Sequence, residues 1–416
     1  MFLRVLFNLW SKINKPNDSY IKSVPLDKHG KYSKELKSYD EAIRINPKQA
    51  APWNDKGFYL YKIGKYEEAI KCFDEAININ KKLASDWHRK GIAFRQIEKF
   101  DEAIKCFKEA KSINKNLVSA WFGKGRAFEH IGKYEEAIKC WDEGINIAPS
   151  NAYAWYNKSI VFAEFGKHDE AIKCYGEAIR INPDNAKAWI LKGEALNNIK
   201  KYDEEIKSHD GNIEINSKRA SAWNYKGNAF DVLEKYEEAI KCYDEAVRIN
   251  TAYENAWYNK GITLSNIEKY NEAVKCFNEA IKINSGDIDA WYKKGLAFSQ
   301  IKKDNQAIKC FNRVIKINPE ISEPWFNKGS IFLRNGKYAQ SIKCFDIAIN
   351  INPLDEHAWI SNGLALSSLR KYNQAIKCYD EAIKINPNNY NARSCKGAAL
   401  IELGNHSEAK KFFNEV

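Results

Sequence analysis

Tryptophan returns at a fixed interval along most of the chain. Ten tryptophans, from Trp53 to Trp359, follow one another at 34-residue steps with no insertion or deletion between them. A fixed period in this range is typical of a stack of identical supersecondary units rather than of separate globular domains. The next step falls on Arg393, in a last unit that keeps Gly397 and Ala409. The chain of 416 residues is therefore predicted to be one repeat array rather than a set of independent domains.

Each 34-residue unit has the pattern of two short helices. In the unit 50–83, apolar residues from Trp53 onward recur at steps of three and four residues, which places them on one face of a first helix. Gly64 marks a turn, because glycine tolerates the left-handed backbone that often ends a helix. A second helix follows from Tyr66, and in several other units an Asn-Pro step stops it. The pattern predicts an all-α fold built from helix pairs.

The residues that recur in these units form a recognisable motif. Trp53 is followed by Gly57 on the first helix, and the second helix carries Ala69, Phe73 and then a further alanine. With a period of 34 residues and prolines at several unit ends, this motif resembles the tetratricopeptide repeat. The resemblance covers residues 50–416 as eleven repeats, the last of them truncated. It implies a right-handed superhelical solenoid of tandem helix-turn-helix repeats that binds proteins, without indicating which ones.

Two segments precede the array. Residues 16–49 keep the pattern of a second helix, with Pro25 where the first helix should run, and are interpreted as a degenerate repeat. Residues 1–15 are apolar, and the stretch 1–13 is expected to form a helix that caps the first repeat. Weak contact of that helix with a membrane surface is the alternative, helped by the local positive charge. No stretch of the sequence approaches the ~20 apolar residues that cross a bilayer.

The opposite end of the sequence lies inside a second helix, in the apolar stretch around Phe412 and Phe413. Helical repeat arrays usually need a polar cap at each end. An exposed apolar face at this end predicts either fraying or an end-to-end homodimer through the last repeat.

The sequence has a modest excess of positive charge. It contains 66 Lys and Arg against 54 Asp and Glu, a formal net charge of +12. Much of the excess lies in the first 49 residues, and the thin remainder argues against an extended phosphate-binding surface. A helical-repeat RNA-binding protein is therefore an alternative that rests on the charge alone.

Nine of the ten cysteines occupy one position of the repeat, at steps of 34 or once 68 residues. Equivalent residues of stacked helices lie roughly 8–10 Å apart, beyond the roughly 7 Å limit between the Cα atoms of a disulfide. Zinc sites need close-set pairs, which these spacings do not provide. We therefore expect buried, reduced thiols, a cytoplasmic location, and neither a metal nor a cofactor. The nine are Cys72, Cys106, Cys140, Cys174, Cys242, Cys276, Cys310, Cys344 and Cys378.

One departure from the family pattern is systematic: lysine rather than leucine precedes the repeated glycine, as at Lys56 and Lys260. A lysine stem can cover the flank of a core while its ammonium reaches water or a carboxylate. We expect that role here, and a basic ladder for a polyanion is the alternative.

The unit 186–219 departs from the pattern in its second helix. Five positions of this helix differ from the other repeats, which mostly have Ala, Cys, an aromatic residue, an acidic residue and Ala there. Four of the five residues are polar, and one is glycine. Such residues lower the stability of a core or a helix unless they are paired. Drift of one repeat and a hinge or partner-specific feature are the two interpretations. The positions are Glu205, Ser208, His209, Gly211 and Asn212.

The resemblance implies that the first helices line a concave groove, into which the residues one and five positions after each tryptophan point. Exposed aromatic rows of this kind suit an extended peptide or a helix. Part of the set is expected to pack between adjacent first helices instead. The candidate groove residues are Phe122, Arg126, Tyr156, Asn224, Asn228, Tyr258, Tyr292 and Phe326.

Some members of the family hold a terminal carboxylate in a clamp of five residues. Asn228, Asn259 and Lys293 match three of its positions, and they complete the candidate groove set. Asn224 and Asp289 stand where lysines should be, and Asp289 would repel a carboxylate. The sequence therefore favours a general peptide groove over such a clamp.

Catalytic motifs such as His-Glu-x-x-His and Gly-x-Ser-x-Gly do not occur in the sequence, and no enzyme activity is predicted. The predicted function is a non-catalytic protein–protein interaction scaffold that binds peptide or helical segments of partner proteins in the groove. A substrate-recruiting or regulatory subunit of a separate enzyme is an alternative that involves the same binding event.

Overall fold

The computed structural model describes residues 31–413, where every regular element is an α-helix and no strand occurs. After the first helix, the others in that range form eleven consecutive pairs, whose members we name the A helix and the B helix. The all-α prediction is confirmed. The helices are α1 (Lys31–Ile45), α2 (Ala50–Lys62), α3 (Tyr66–Ile79), α4 (Ala84–Gln96), α5 (Phe100–Ile113), α6 (Val118–His130), α7 (Tyr134–Ile147), α8 (Ala152–Glu164), α9 (His168–Ile181), α10 (Ala186–Asn198), α11 (Tyr202–Ile215), α12 (Ala220–Val232), α13 (Tyr236–Ile249), α14 (Glu254–Asn266), α15 (Tyr270–Ile283), α16 (Ile288–Gln300), α17 (Asp304–Ile317), α18 (Ser322–Arg334), α19 (Tyr338–Ile351), α20 (Glu356–Ser368), α21 (Tyr372–Ile385), α22 (Tyr390–Glu402) and α23 (His406–Phe413).

The chain divides into two compact units, Met1–Asn182 and Pro183–Val416. Among the described residues, unit 1 contains α1 to α9 and unit 2 contains α10 to α23. Within each unit an A helix packs against its own B helix, and that B helix packs against the next A helix. The apolar helix predicted within 1–15, part of the degenerate repeat and residues 414–416 lie outside the described residues. No described helix has the length and apolar content that crossing a membrane requires.

The turn between the A and the B helix of each pair uses a left-handed backbone at one fixed position. At Gly64 the backbone φ is +83°, in agreement with the turn that the sequence predicts there. Six pairs place another residue type at this position, with φ between 58° and 61°, which a side chain bearing a Cβ adopts less readily. These residues are Glu98, Lys200, Glu234, Glu268, Lys302 and Arg370.

The repeated glycine of the A helix makes room for an aromatic ring of its own B helix. Phe73 is 1% exposed, and a Cβ on Gly57 would lie 2.7 Å from a carbon of its ring. Gly261 and Phe277 repeat this contact in unit 2. Burying one such ring contributes roughly 4–6 kcal/mol before conformational entropy is counted. The nine repeated cysteines on the same B helices are buried, as predicted, and they are free thiols.

Each repeated tryptophan forms a hydrogen bond between its A helix and the segment that precedes it. The indole Nε1 of Trp155 donates to the carbonyl oxygen of Pro149 at 3.0 Å, and Trp257 donates to Thr251 at 3.0 Å. A hydrogen bond to the carbonyl six residues earlier forms at all ten tryptophans of the repeat. The polar end of a partly buried indole thereby keeps an acceptor.

The lysine column joins consecutive helix pairs. The Nζ of Lys158 lies 2.5 Å from Oδ1 of Asp142 and 5.4 Å from the centroid of the Trp155 ring. The expectation that these ammonium groups reach carboxylates is confirmed wherever an aspartate stands 16 residues before the lysine. The pairs are Lys56–Asp40, Lys90–Asp74, Lys158–Asp142, Lys226–Asp210, Lys260–Asp244 and Lys396–Asp380.

Candidate functional site

The A helices of neighbouring repeats meet at positions that lie one repeat and one residue apart. The Nε2 of Gln96 donates to Oη of Tyr61 at 3.3 Å, 35 residues earlier in the sequence. In unit 2 the Nδ2 of Asn327 donates to Oη of Tyr292 at 3.0 Å, again at an offset of 35 residues. The outward side of the successive A helices in each unit therefore forms one surface, which we call the A-helix surface of that unit.

Five of the predicted groove residues pack their rings on the B helix of their own repeat. The ring centroids of Phe122 and Trp141 are 5.0 Å apart, and the other pairs lie at 5.8–6.2 Å. The ring of each partner belongs to the residue 19 positions later. The other pairs are Tyr156–Tyr175, Tyr258–Phe277, Tyr292–Phe311 and Phe326–Phe345.

Two of the predicted groove residues need correction. Phe122 is 9% exposed and Asn224 is 3% exposed, so neither side chain offers much surface to a partner. Tyr156, Tyr258, Tyr292 and Phe326 remain partly exposed beside their ring contacts. These four side chains are therefore accessible, whereas Phe122 and Asn224 are not.

The position five residues after the repeated tryptophan is apolar in most repeats and stays partly exposed. Phe58 of unit 1 and Leu364 of unit 2 are 40% and 39% exposed. Isoleucine or leucine at this position is half-buried in several other A helices. The column comprises Phe58, Ile92 and Ile160 in unit 1, and Ile262, Leu296 and Leu364 in unit 2.

A polar network fixes the first arginine of the unit 1 surface. Asp86 is 1% exposed and accepts a hydrogen bond from Nδ2 of Asn54, and burial raises the pKa of its carboxyl. The guanidinium of Arg89 donates to Oδ1 of Asn54 and lies 4.6 Å from the centroid of the Phe58 ring. Its charge is thus held against an exposed aromatic ring rather than left mobile.

Two carboxyls lie further along the same surface. Glu129 on α6 is strongly desolvated, and burial together with the charge of Glu164 raises its pKa to about 7. Arg126 and Arg95 lower the pKa of Glu129 without offsetting those effects. Arg126 itself donates through Nη1 to Oη of Tyr153 at 2.9 Å. Burial also raises the pKa of Glu164 on α8.

The surface of unit 2 carries a cluster of amides where the sequence matches part of the clamp. The Nδ2 of Asn259 lies 3.0 Å from Oδ1 of Asn228 and 3.2 Å from Oδ1 of Asn224. Oη of Tyr243 donates to the same oxygen of Asn228 at 2.9 Å. The structure thus brings Asn228 and Asn259 together, and it makes each a hydrogen-bond partner of the other. Lys293 lies on α16, the next A helix, and is partly buried.

Negative charge follows this cluster. Burial, with Asp289 and Asp287 as further causes, raises the pKa of Tyr258 to about 12. Asp289 therefore acts electrostatically on the surface near Asn259, at a position where a clamp would need a cation. Among the described residues, no group of three or more His, Cys, Asp or Glu side chains is arranged to hold a metal ion.

Sequence models of the tetratricopeptide repeat match most of this helix array. They match residues 50–83, 87–117, 125–164, 160–198, 220–251, 254–287, 288–321, 310–343, 358–389 and 378–411. The chain belongs to the tetratricopeptide repeat family. Membership supports a role as a protein-interaction scaffold, and scaffolds of this family are generally non-catalytic.

A comparison with solved structures found other tetratricopeptide proteins. YrrB, a tetratricopeptide protein with an unusual peptide-binding site, is 22% identical over 44% of this chain and 95% of its own, with a TM-score of 0.40. Yeast Tom70 is 14% identical over 88% and 91%, with a TM-score of 0.38. Cut9–Hcn1 of the APC/C is 14% identical over 89% and 93%, with a TM-score of 0.42. The comparison with curated proteins found no match.

The tetratricopeptide repeat 186–219 retains its helices, but the buried positions of its B helix, α11, are polar. His209 and Asn212 on α11 are fully buried, and their side-chain nitrogen and oxygen atoms lack hydrogen-bond partners. Nε2 of His209 lies 3.6 Å from Oε1 of Glu205, and its ring stacks on Tyr225 at 5.5 Å. Glu205 accepts from Nδ2 of Asn197 at 2.9 Å. Only some of the hydrogen-bonding groups in this cluster therefore have partners.

Several polar residues of the tetratricopeptide surface were not singled out from the sequence. Glu129 and Tyr153 stand eight residues after and two residues before the repeated tryptophan, outside the two positions carried over from the family. Their importance depends on which side chains lie opposite them on the neighbouring A helix. The offset of 35 residues is the signal that would have paired Glu129 with Glu164.

Proposed function

We propose that this chain is a non-catalytic scaffold that holds a peptide or helical segment of a partner protein on its A-helix surfaces. The observation that carries the proposal is the column of partly exposed apolar side chains five residues after the tryptophan. Apolar surface on adjacent helices leaves water when a partner covers it, at roughly 25 cal/mol per Å². Residues such as Phe58 and Leu364 therefore favour binding of an apolar segment.

Partly exposed rings and polar groups beside this column support selection among partners. In unit 1 these are Arg126 and Tyr156, and unit 2 has Asn228, Tyr258, Asn259, Tyr292, Lys293 and Phe326. Rigid aromatic side chains give contact area with little loss of side-chain entropy, and polar groups fix the orientation of the segment. An apolar peptide with isolated polar residues fits such a surface better than a nucleic acid, because most of the lysine column is already paired with aspartates.

The test compares two sets of matched substitutions in unit 1. One variant changes Phe58, Ile92 and Ile160 to serine on the A-helix surface. The control changes three isoleucines that end B helices and are 37–38% exposed, Ile79, Ile113 and Ile147. Circular dichroism first establishes that both variants are folded.

Quantitative pull-downs from native lysate then compare both variants with the parent. We expect selected proteins to be lost from the A-helix variant and retained by the control. Those proteins also show whether the scaffold recruits substrates for a separate enzyme. Loss of the same proteins from both variants, or from neither, would contradict the proposal.

The proposal places the protein in the cytoplasm, since its buried thiols are all free. It also includes end-to-end pairing through the C-terminal repeat, and weak membrane contact is the alternative to a capping role for residues 1–13. Sedimentation equilibrium at tens of micromolar tests the pairing, and a strictly monomeric mass contradicts it. Equal recovery of full-length and Δ1–15 protein in the unbound fraction of a liposome flotation assay contradicts the membrane contact.

A further inference from the structure

Glu129 and Glu164 stand in the relationship that elsewhere joins hydrogen-bonding partners. They lie on consecutive A helices, α6 and α8, at an offset of 35 residues. At this offset Gln96 donates to Tyr61 in the same unit. Two carboxyls cannot satisfy each other in this way when both are ionised. The repeat geometry therefore sets two like charges against each other on the unit 1 surface.

Two arginines compensate the charge of this pair only in part. Oε2 of Glu129 is buried and has no hydrogen-bond partner. Arg126 donates to Tyr153. Arg126 and Arg95 both lower the pKa of Glu129, but burial and Glu164 raise it by more. Burial and the two arginines lower the pKa of His130, which disfavours a positive charge on its imidazole. A buried carboxyl without a partner is unfavourable until a donor reaches it.

Aromatic rings stand beside the two carboxyls. The rings of Tyr134 and Phe165 are 5.7 Å apart, and burial, Glu164 and Glu129 raise the pKa of Tyr134. The Nζ of Lys167 lies 4.6 Å from the centroid of the Phe165 ring, so one face of that ring already holds a cation. Carboxylates and aromatic rings in one region both attract ammonium and guanidinium groups.

We propose that Glu129 and Glu164 form a receptor for one basic side chain, a lysine or an arginine, of a partner segment bound on the A-helix surface of unit 1. The proposal rests on the function proposed above and names the chemistry of its partner. An arriving cation compensates the negative charge of both carboxyls. Arginine fits best, because its planar fork can donate to two carboxylates at once.

An acidic partner segment is less favoured by the same residues. The arginines of this surface are engaged, Arg89 with Asn54 and Phe58, and Arg126 with Tyr153. An additional carboxylate would increase the repulsion around Glu129. A metal ion is also less favoured, because the described residues hold no group of three potential ligands.

Binding of a cation is linked to the loss of a proton from Glu129. With a pKa of about 7, this carboxyl is mainly protonated at pH 6 and mainly ionised at pH 8. A ligand that needs the ionised form should bind about tenfold more tightly at pH 8 than at pH 6. A ligand that needs the protonated form should instead bind more tightly at pH 6 than at pH 8.

The first experiment follows Glu129 directly. Carbon-13 NMR of the glutamate carboxyls in the full-length chain gives the pKa of Glu129, with the resonance assigned by its loss in Glu129→Gln. We expect ethylguanidinium chloride to lower this pKa relative to sodium chloride at the same ionic strength. An unchanged pKa, or a shift produced by magnesium chloride and not by ethylguanidinium, overturns the proposal.

The second experiment uses three pools of twelve-residue peptides with the same apolar positions, in which one central residue is Arg, Gln or Glu. We expect the Arg pool to bind most tightly, about tenfold better at pH 8 than at pH 6. Glu129→Gln should remove that preference, whereas Glu135→Gln, an exposed change on α7, should keep it.

The results separate this inference from the function on which it rests. If all pools bind the parent equally and Glu129→Gln changes nothing, the scaffold function stands and the receptor is overturned. If no pool binds the parent, groove binding of such peptides is contradicted, and the ethylguanidinium titration still decides whether the carboxyl pair takes a cation.

Discussion

The ammonium of Lys226 lies 2.6 Å from Oδ1 of Asp210, sixteen residues earlier and on the preceding B helix. Both side chains are partly exposed, so one such pair contributes little, at most about 1 kcal/mol. The pair recurs within both units, and where it forms it links an A helix to the B helix before it. Its value lies in fixing the same contact between successive repeats.

The column is interrupted at Lys124, because the residue sixteen positions earlier is Lys108. Lys108→Asp should restore the pair and raise the free energy of unfolding by about 0.5 kcal/mol at low salt. The gain should shrink at high salt, since the pair is partly exposed. Urea unfolding at two salt concentrations measures both effects. Lys105→Asp, an exposed change one turn away, should give no comparable gain.

Glu268 occupies the left-handed turn position with φ of 61°. Glu268→Gly should stabilise the protein by about 0.5 kcal/mol, because relief of the backbone strain exceeds the entropy gained by the unfolded chain. The reverse change, Gly132→Glu at φ of 72°, should destabilise it by about 1 kcal/mol. Urea unfolding of both variants checks the pair of signs. Equal effects of the two changes would show that the turn carries no strain.

The buried polar atoms of α11 predict stabilising substitutions. His209→Phe and Asn212→Ala restore the residue types of the other repeats and remove unpaired buried groups, which should raise the free energy of unfolding by about 1–3 kcal/mol together. Ser208→Cys is the control, because the Ser208 hydroxyl already donates to the carbonyl of Trp189 at 2.9 Å.

Hydrogen exchange distinguishes a hinge at α11 from sequence drift that leaves the helix as stable as its neighbours. We expect the fastest exchange among the B helices of unit 2 within residues 201–216, and slower exchange there in the double variant. Uniform protection of the parent would rule out a hinge in this repeat.

The amide cluster predicts that no terminal-carboxylate clamp operates in unit 2. Asn228 and Asn259 are hydrogen-bonded to each other, and Asp289 acts as a negative charge nearby. An Asn228→Ala, Lys293→Ala variant should therefore bind acidic C-terminal peptides no more weakly than the parent. Fluorescence anisotropy with a labelled peptide provides the measurement. A loss of tenfold or more in affinity would contradict this prediction and indicate that a carboxylate clamp operates in unit 2.

The fold follows almost entirely from local repetition. The 34-residue period, the Gly57–Phe73 type of contact and the turn after each A helix are decided within one unit, and they recur in most units of the array. Agreement among repeats removes the ambiguity that a single helix pair would leave.

The surface was harder to predict, because it depends on pairs of residues that differ from the repeat pattern and act on each other. Phe122 is buried because Gly144 replaces the alanine of other repeats, and a Cβ there would collide with the Phe122 ring. Trp141 then offers a larger ring for Phe122 to cover. The raised pKa of Glu129 likewise depends on Glu164 in the next repeat. Neither effect is visible at one position considered alone.

The indole hydrogen bonds also give each junction between repeats a spectroscopic label. Every repeated tryptophan donates to a carbonyl six residues earlier, as Trp291 does to Ser285 at 3.2 Å. Nε1 of Trp141, by contrast, is buried without an acceptor. In a nitrogen-15 spectrum the junction indoles should therefore form one group of resonances and Trp141 a separate signal. Loss of individual junction resonances during denaturation would show in which order the array comes apart.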